Sequence, residues 1–226
     1  MKFYHCTNSE NARRILRLKR PKTITPSLFT YIDCLNDWLG KILNPNVLEI
    51  SSEDFVFPRF YYSQGENRTV FWLGTGLYCF AEENKSESPN YAKRNDLDVI
   101  LDINYSNEYT EFNMHKNKEL LMKFLEDDVL NHFRVNGFSG EKLEALELVV
   151  QYLILEIEDE YFKNPHGAAI IIEMYFHICN LNFDVVSNKF LKNDINFTYD
   201  NYSSIRNLDF ISKFEYNSDL SHKIKE

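Results

Sequence analysis

The sequence lacks the patterns that mark secreted, membrane-spanning or metal-organised proteins. Cysteine occurs four times in 226 residues, at positions 6, 34, 79 and 179. No two stand at C-x-x-C spacing, which removes the usual zinc and dithiol motifs. No apolar run approaches the roughly 20 residues that a membrane-spanning helix needs. The longest, Gly167 to Ile172, is far too short. The start, Met1-Lys2-Phe3-Tyr4-His5, shows no charged n-region followed by an apolar h-region. These absences predict reduced thiols, a cytoplasmic location and no membrane partner. Excess positive charge is also missing, since the formal net charge is -9. Such a chain is poorly suited to releasing counterions from a phosphate backbone, so protein is favoured over nucleic acid as a macromolecular partner. Internal repeats, low-complexity tracts and linkers are absent. What remains is core material, with 44% hydrophobic and 15% aromatic residues, a composition that folds.

Along the chain, Phe3-Tyr4-His5 predicts a short strand. Thr7-Asn8-Ser9-Glu10 has capping-box spacing. Ala12, Ile15 and Leu16 follow on one helical face, and Pro21 is expected to end that helix. His5 therefore sits where a strand hands over to a helix. The basic run Arg13, Arg14, Arg17, Lys19, Arg20, Lys22 reads as the helix's solvated face. A second helix is predicted over 27–43. Val70 to Leu73 and Leu77 to Phe80 predict strands on either side of Gly74-Thr75-Gly76. Pro89 to Arg94 predicts a short helix with proline in its first turn, and Val99 to Tyr105 is the clearest strand. Helical patterns cover 116–133, 139–162 and 166–180. Strand-like composition returns at 183–186, 197–205 and 210–216. The order of strands, then helices, then strands favours an α+β fold. It predicts one domain over 1–216, with a helical insertion at about 112–181 and a frayed tail at 217–226.

Two segments carry candidate chemistry. One is Tyr4-His5-Cys6-Thr7. The other runs from Trp72 to Phe80 and continues through Lys85-Ser86 to Asn90-Tyr91-Ala92. Gly74 and Gly76 allow close approach of a backbone or a ligand. Tyr78 and Tyr91 can present aromatic faces to a flat ring, and His5 can donate to a sugar hydroxyl. Taken singly, each feature is ordinarily structural, and Gly-x-Gly without a third glycine is a weak dinucleotide signal. Elsewhere, Glu156, Glu158, Asp159 and Glu160 read as a solvated helix end. His115, His132, His166 and His177 lack ligand spacing, so no metal site is expected. Ser139-Gly140 lacks the flanks of a nucleophile elbow, which removes hydrolase readings.

Together the two segments resemble the His-Tyr class of ADP-ribosyltransferases, which includes the catalytic domain of the poly(ADP-ribose) polymerases. Tyr4-His5-Cys6-Thr7, with Asn11-Ala12 and Ile15-Leu16, resembles the family's opening Tyr-His-Gly-Thr. Gly74 to Ala81, then Lys85-Ser86 and Asn90-Tyr91, resembles its Gly-x-Gly-Ile-Tyr-Phe-Ala and the following Lys-Ser-x-Asn-Tyr. Phe183-Asp184-Val185-Val186 with Lys189-Phe190, and Ser204 to Ile211, resemble Phe-Asp-x-Val-x-x-x-Phe and Cys-Val-Arg-Asn-Pro-x-x-Ile of a bacterial branch. Trp72-Leu73-Gly74 fits that branch as well. The matches reach from residue 3 to about 211 and are sparse between 116 and 180.

The resemblance implies a split, mainly antiparallel sheet and NAD as the substrate. His5 would hydrogen-bond the nicotinamide ribose. The backbone at Cys6 would hold the nicotinamide amide, and Ser86 would touch it. Thr7 would line the adenosine side. Gly76 would lie against the dinucleotide, Tyr78 would wall the pocket and Tyr91 would stack on the nicotinamide. The implied function is a transferase of bacterial or phage toxin or defence type, with an unidentified acceptor and an antitoxin or regulatory partner. Two departures stand out. Cys6 replaces the family's glycine. Tyr202 fills the slot where many relatives carry Glu or Gln, with Asp200 the nearest carboxylate and Glu215 a distant reserve. The alternative is therefore a catalytically impaired member that binds NAD or ADP-ribose, or a protein partner.

Overall fold

A computed structural model describes residues 1–21, 73–158, 165–193 and 198–225. The expected helix over 27–43 and the start of the expected strand at Val70 lie outside the described residues. The chain divides into two compact units. The first comprises Met1–Thr25, Thr75–Asn113 and Phe183–Glu226, and the second Pro26–Gly74 and Met114–Asn182. The helices read as an insertion thus fall in the second unit. Among the described residues, no helix is long and apolar enough to cross a membrane.

The first unit is α+β. Its strands are β1 Lys2–Thr7, β2 Leu77–Ala81, β3 Val99–Tyr105, β4 Glu111–Asn113, β5 Val185–Asn193, β6 Thr198–Ile205 and β7 Ile211–Tyr216. They form one seven-stranded sheet in the order β4-β5-β6-β2-β1-β3-β7. Every pairing is antiparallel except β4 with β5. The sheet is continuous, and at its middle β1 meets β2 only through Phe3↔Ala81 and Tyr4↔Phe80. Buried neighbours such as Phe3 and Tyr4 put both faces of β1 inside, as a central strand requires. One face carries Phe3, Leu77, Cys79, Ala81, Ile103, Tyr105, Val185 and Ile205 as a single apolar cluster.

Helix α1, Ser9–Leu18, places Ala12 and Ile15 on Val99 and Leu101. Its cap is Asn8 rather than the expected Thr7. The Asn8 side chain accepts from the Asn11 amide at 2.8 Å, while Thr7 is still the last residue of β1. The helix stops before Pro21, at Lys19, which takes a left-handed φ of 53°. A 3₁₀ turn, Glu82–Glu87, leads into α2, Ser88–Arg94, with its proline at the N-terminus.

The expected frayed tail is a helix. It is α7, Ser218–Lys223. Asn217 caps it by accepting from the Leu220 amide at 2.8 Å. Ser221 is 1% exposed, and its hydroxyl accepts from the buried Ile100 amide at 2.9 Å. Leu220 and Ile224 are buried beside it, and the Asn217 side chain donates to Asp102 at 2.6 Å, so two apolar residues and two polar anchors hold a helix too short to show a periodic stripe. Ser221→Ala orphans that amide and is expected to cost about 1–3 kcal/mol, measured as a lowered urea midpoint at unchanged slope.

The described part of the second unit is helical. It contains α3 Lys118–Lys123, a π-helical turn Phe124–Val129, α4 Leu130–Val135, α5 Glu141–Glu158 and α6 Pro165–Ile178. Leu121, Leu125, Val129, Leu146, Val149 and Leu153 are fully buried. The Phe124 and Tyr175 rings meet edge-on at 5.0 Å.

Candidate functional site

The site begins where β1 and β2 part. Beyond Tyr4, β1 continues only with β3, as far as Thr7↔Val99. β2 continues only with β6, through Cys79↔Ser203, Tyr78↔Ser204 and Leu77↔Ile205. His5 stands at this fork, half-buried, and its Nδ1 lies 2.7 Å from the Tyr78 carbonyl. A carbonyl can only accept, so Nδ1 carries the hydrogen. Burial holds the imidazole pKa below its ordinary value, partly opposed by the Tyr78 carbonyl. The ring is therefore neutral at neutral pH, and Nε2 presents a lone pair. Among the described residues, Nε2 has no hydrogen-bond partner. The sequence reading had His5 donating to a sugar hydroxyl. The geometry reverses that role, and His5 would accept the hydroxyl's hydrogen.

The other predicted residues group in two ways. Cys6 points to α2, its thiol donating to the Ser88 carbonyl at 3.4 Å. Burial pushes the Cys6 thiol pKa up to about 12, so it is no nucleophile. Thr7 is buried at the end of β1. Ser86, expected to touch an amide, is exposed on the 3₁₀ turn. Ser88 is the buried serine here, at 0% exposure, and its hydroxyl donates to the Lys85 carbonyl at 2.6 Å. The signal for Ser88 was already in the sequence. Ser88-Pro89-Asn90-Tyr91 has the Ser-x-Asn-Tyr spacing in register, whereas Ser86 is two residues early.

The second group is aromatic. Tyr91 meets Phe80 and Tyr202, with ring centroids 5.5 Å away in each case. Tyr202 also packs on Phe80 at 5.2 Å and Phe190 at 5.9 Å, and is 5% exposed. Tyr202 is thus a buried ring in an aromatic cluster, with no carboxylate in its place. Alternation along β2 puts Tyr78 on the same face as Phe80. His5 therefore reaches the backbone of Tyr78, while the tyrosine cluster gathers around Phe80. Asp200 pairs through its backbone with Phe190, and its side chain lies outside the described residues. Glu215 is on edge strand β7, held by Lys213 at 2.6 Å and Asn104 at 3.1 Å, with β3, β1 and β2 between its strand and β6. The carboxylate that sequence reasoning passed over is Glu82. Tyr4 donates to it at 2.5 Å and Lys85 at 2.6 Å, and these two, the lysine more strongly, hold its pKa low.

Gly76 closes the fork on the β6 side, with φ of 141°. Beside it lies a cleft of about 210 Å³ lined by Arg20, Thr75, Gly76, Arg206, Asn207, Leu208 and Asp209. Two arginines and one aspartate are among its lining residues. Comparison with protein-family models, curated proteins and solved structures finds no match.

Proposed function

We propose that this chain is an NAD-dependent ADP-ribosyltransferase of bacterial or phage toxin or defence type. The observation that carries the reading is the fork in the sheet at His5. There the imidazole is locked by the Tyr78 carbonyl into the tautomer whose Nε2 can accept a ribose hydroxyl. The chain's own residues would position the nicotinamide ribose at Nε2 and set aromatic surface from Tyr78 and Tyr91 against the planar ring. In the reaction, the bond from ribose C1′ to the nicotinamide nitrogen breaks and its electron pair leaves with nicotinamide. An acceptor nucleophile then bonds to C1′ and gives up its proton. The protein's part is placement and charge stabilisation. The cleft lined by Arg20 and Arg206 adjoins Gly76.

Burial of Tyr202 favours a second reading, a member that binds NAD or ADP-ribose without turning it over. A missing carboxylate leaves binding intact and weakens acceptor activation. Titration with NAD, following binding heat and released nicotinamide together, separates the two. Heat with release is expected for the transferase, and heat without release for the sensor. Absence of heat from the folded protein would discard both.

A further inference from the structure

Asn188 is the polar side chain whose burial goes unanswered. It is 2% exposed, and neither Nδ2 nor Oδ1 meets a hydrogen-bond partner among the described residues. Native proteins keep few such groups, because each buried unpaired donor or acceptor is destabilising. Leucine has the same branched four-atom outline and would remove both, so shape alone does not account for an amide here. Its place is informative. Asn188 stands opposite Tyr202 on β6, and directly opposed residues of an antiparallel pair share a face. That is the face on which Tyr202 meets Phe80, Tyr91 and Phe190.

We propose that Asn188 is a ligand-recognition residue whose carboxamide takes a planar group presenting a donor and an acceptor side by side. An asparagine amide offers one N–H and one carbonyl in a plane, so it pairs twice with a complementary edge. A carboxamide has such an edge, and so does adenine, which asparagine reads through N6 and N7. The aromatic side chains next to it suit a flat partner. The inference rests on the dinucleotide reading above, since NAD carries both a nicotinamide carboxamide and an adenine. It adds a contact from β5 that sequence reasoning did not anticipate.

The test is Asn188→Leu, measured for Tm without ligand and for affinity toward NAD, nicotinamide and ADP-ribose. Removing both unpaired groups is expected to raise Tm by about 2–4 °C and to weaken NAD binding about tenfold or more. Loss confined to nicotinamide assigns the carboxamide edge, and loss confined to ADP-ribose assigns the adenine edge. Because leucine is bulkier, a lowered Tm can arise from overpacking, and it overturns the proposal when NAD affinity is unchanged. Unchanged affinity at raised Tm also overturns it. Equal NAD binding by wild type and variant sinks this proposal alone, whereas no NAD binding by the wild type sinks the dinucleotide reading and this proposal with it. Should the leucine variant not fold, Asn188→Asp keeps the volume and loses the donor. Relative to wild type it is expected to bind NAD more weakly at pH 8 than at pH 5.5, where a protonated acid can donate. A pH-independent ratio near one would count against the proposal.

Discussion

Gly76→Ala is expected to destabilise the protein by about 4 kcal/mol or more, a size reserved for a few severe mechanisms. A Cβ at residue 76 would lie 2.2 Å from the Ser204 hydroxyl oxygen and 2.7 Å from the Ile205 carbonyl oxygen. The hydroxyl is already committed, donating to the Thr75 carbonyl at 3.0 Å. The carbonyl belongs to β6 and cannot withdraw without breaking the pairing of Leu77 with Ile205. The φ of 141° adds strain for any residue with a Cβ. Gly137→Ala separates the two causes. Gly137 also has positive φ, at 94°, but nothing lies within 4 Å of an added Cβ. It should show the strain without the clash, at about 1–2 kcal/mol. Urea unfolding of both variants gives the comparison, and equal losses would show that the approach of β2 to β6 is looser than described. Total stabilities are typically about 5–15 kcal/mol, so Gly76→Ala threatens the fold as well as the site.

His5→Ala is expected to lower nicotinamide release by about 100-fold, the scale on which small misplacements of reacting groups act. It removes the Nε2 acceptor at the fork and leaves the Tyr78 carbonyl without its 2.7 Å partner. Circular dichroism and Tm must accompany the assay, because loss of one hydrogen bond costs about 0.5–1.5 kcal/mol on its own. Retained release in a folded variant would remove His5 from the reaction. The pH profile provides a second readout. The native imidazole pKa lies below the ordinary value of 6.5, so the unfolded chain binds the proton more readily. His5's contribution is full above about pH 6.5 and declines as pH falls from there through the native value. Protonation also turns Nε2 from acceptor to donor, so ribose binding should weaken over the same descent. His5→Ala should flatten this component of the stability profile.

Much of the scaffold was legible in the chain. The strand at Val99–Tyr105 and the α1 stripe of Ala12 and Ile15 are read from periodicity, because burial selects apolar residues at the spacing of the element. The short helix after Pro89 follows from local backbone chemistry, as proline suits a first turn. These are local rules that a sequence carries in full. Other features are set across long separations. Ser88 rather than Ser86 is buried because α2 lies against Cys6, 82 residues away. Tyr202 lies in an aromatic contact because Phe80, Tyr91, Phe190 and Tyr202 converge from four elements. The terminal helix docks because Leu220 and Ile224 are buried and the Ser221 hydroxyl meets the Ile100 amide 121 residues distant.

The sequence by itself determined the α+β class, the strand-to-helix step at His5 and the need for glycine near residue 76, since alternation, capping and turn chemistry act between near neighbours. Only the tertiary structure decided which nitrogen of His5 is free, which serine turns inward and that Asn188 is buried without a partner. Those outcomes depend on which distant strand supplies a carbonyl or withholds a donor, and pairing register, which no local pattern encodes, decides that.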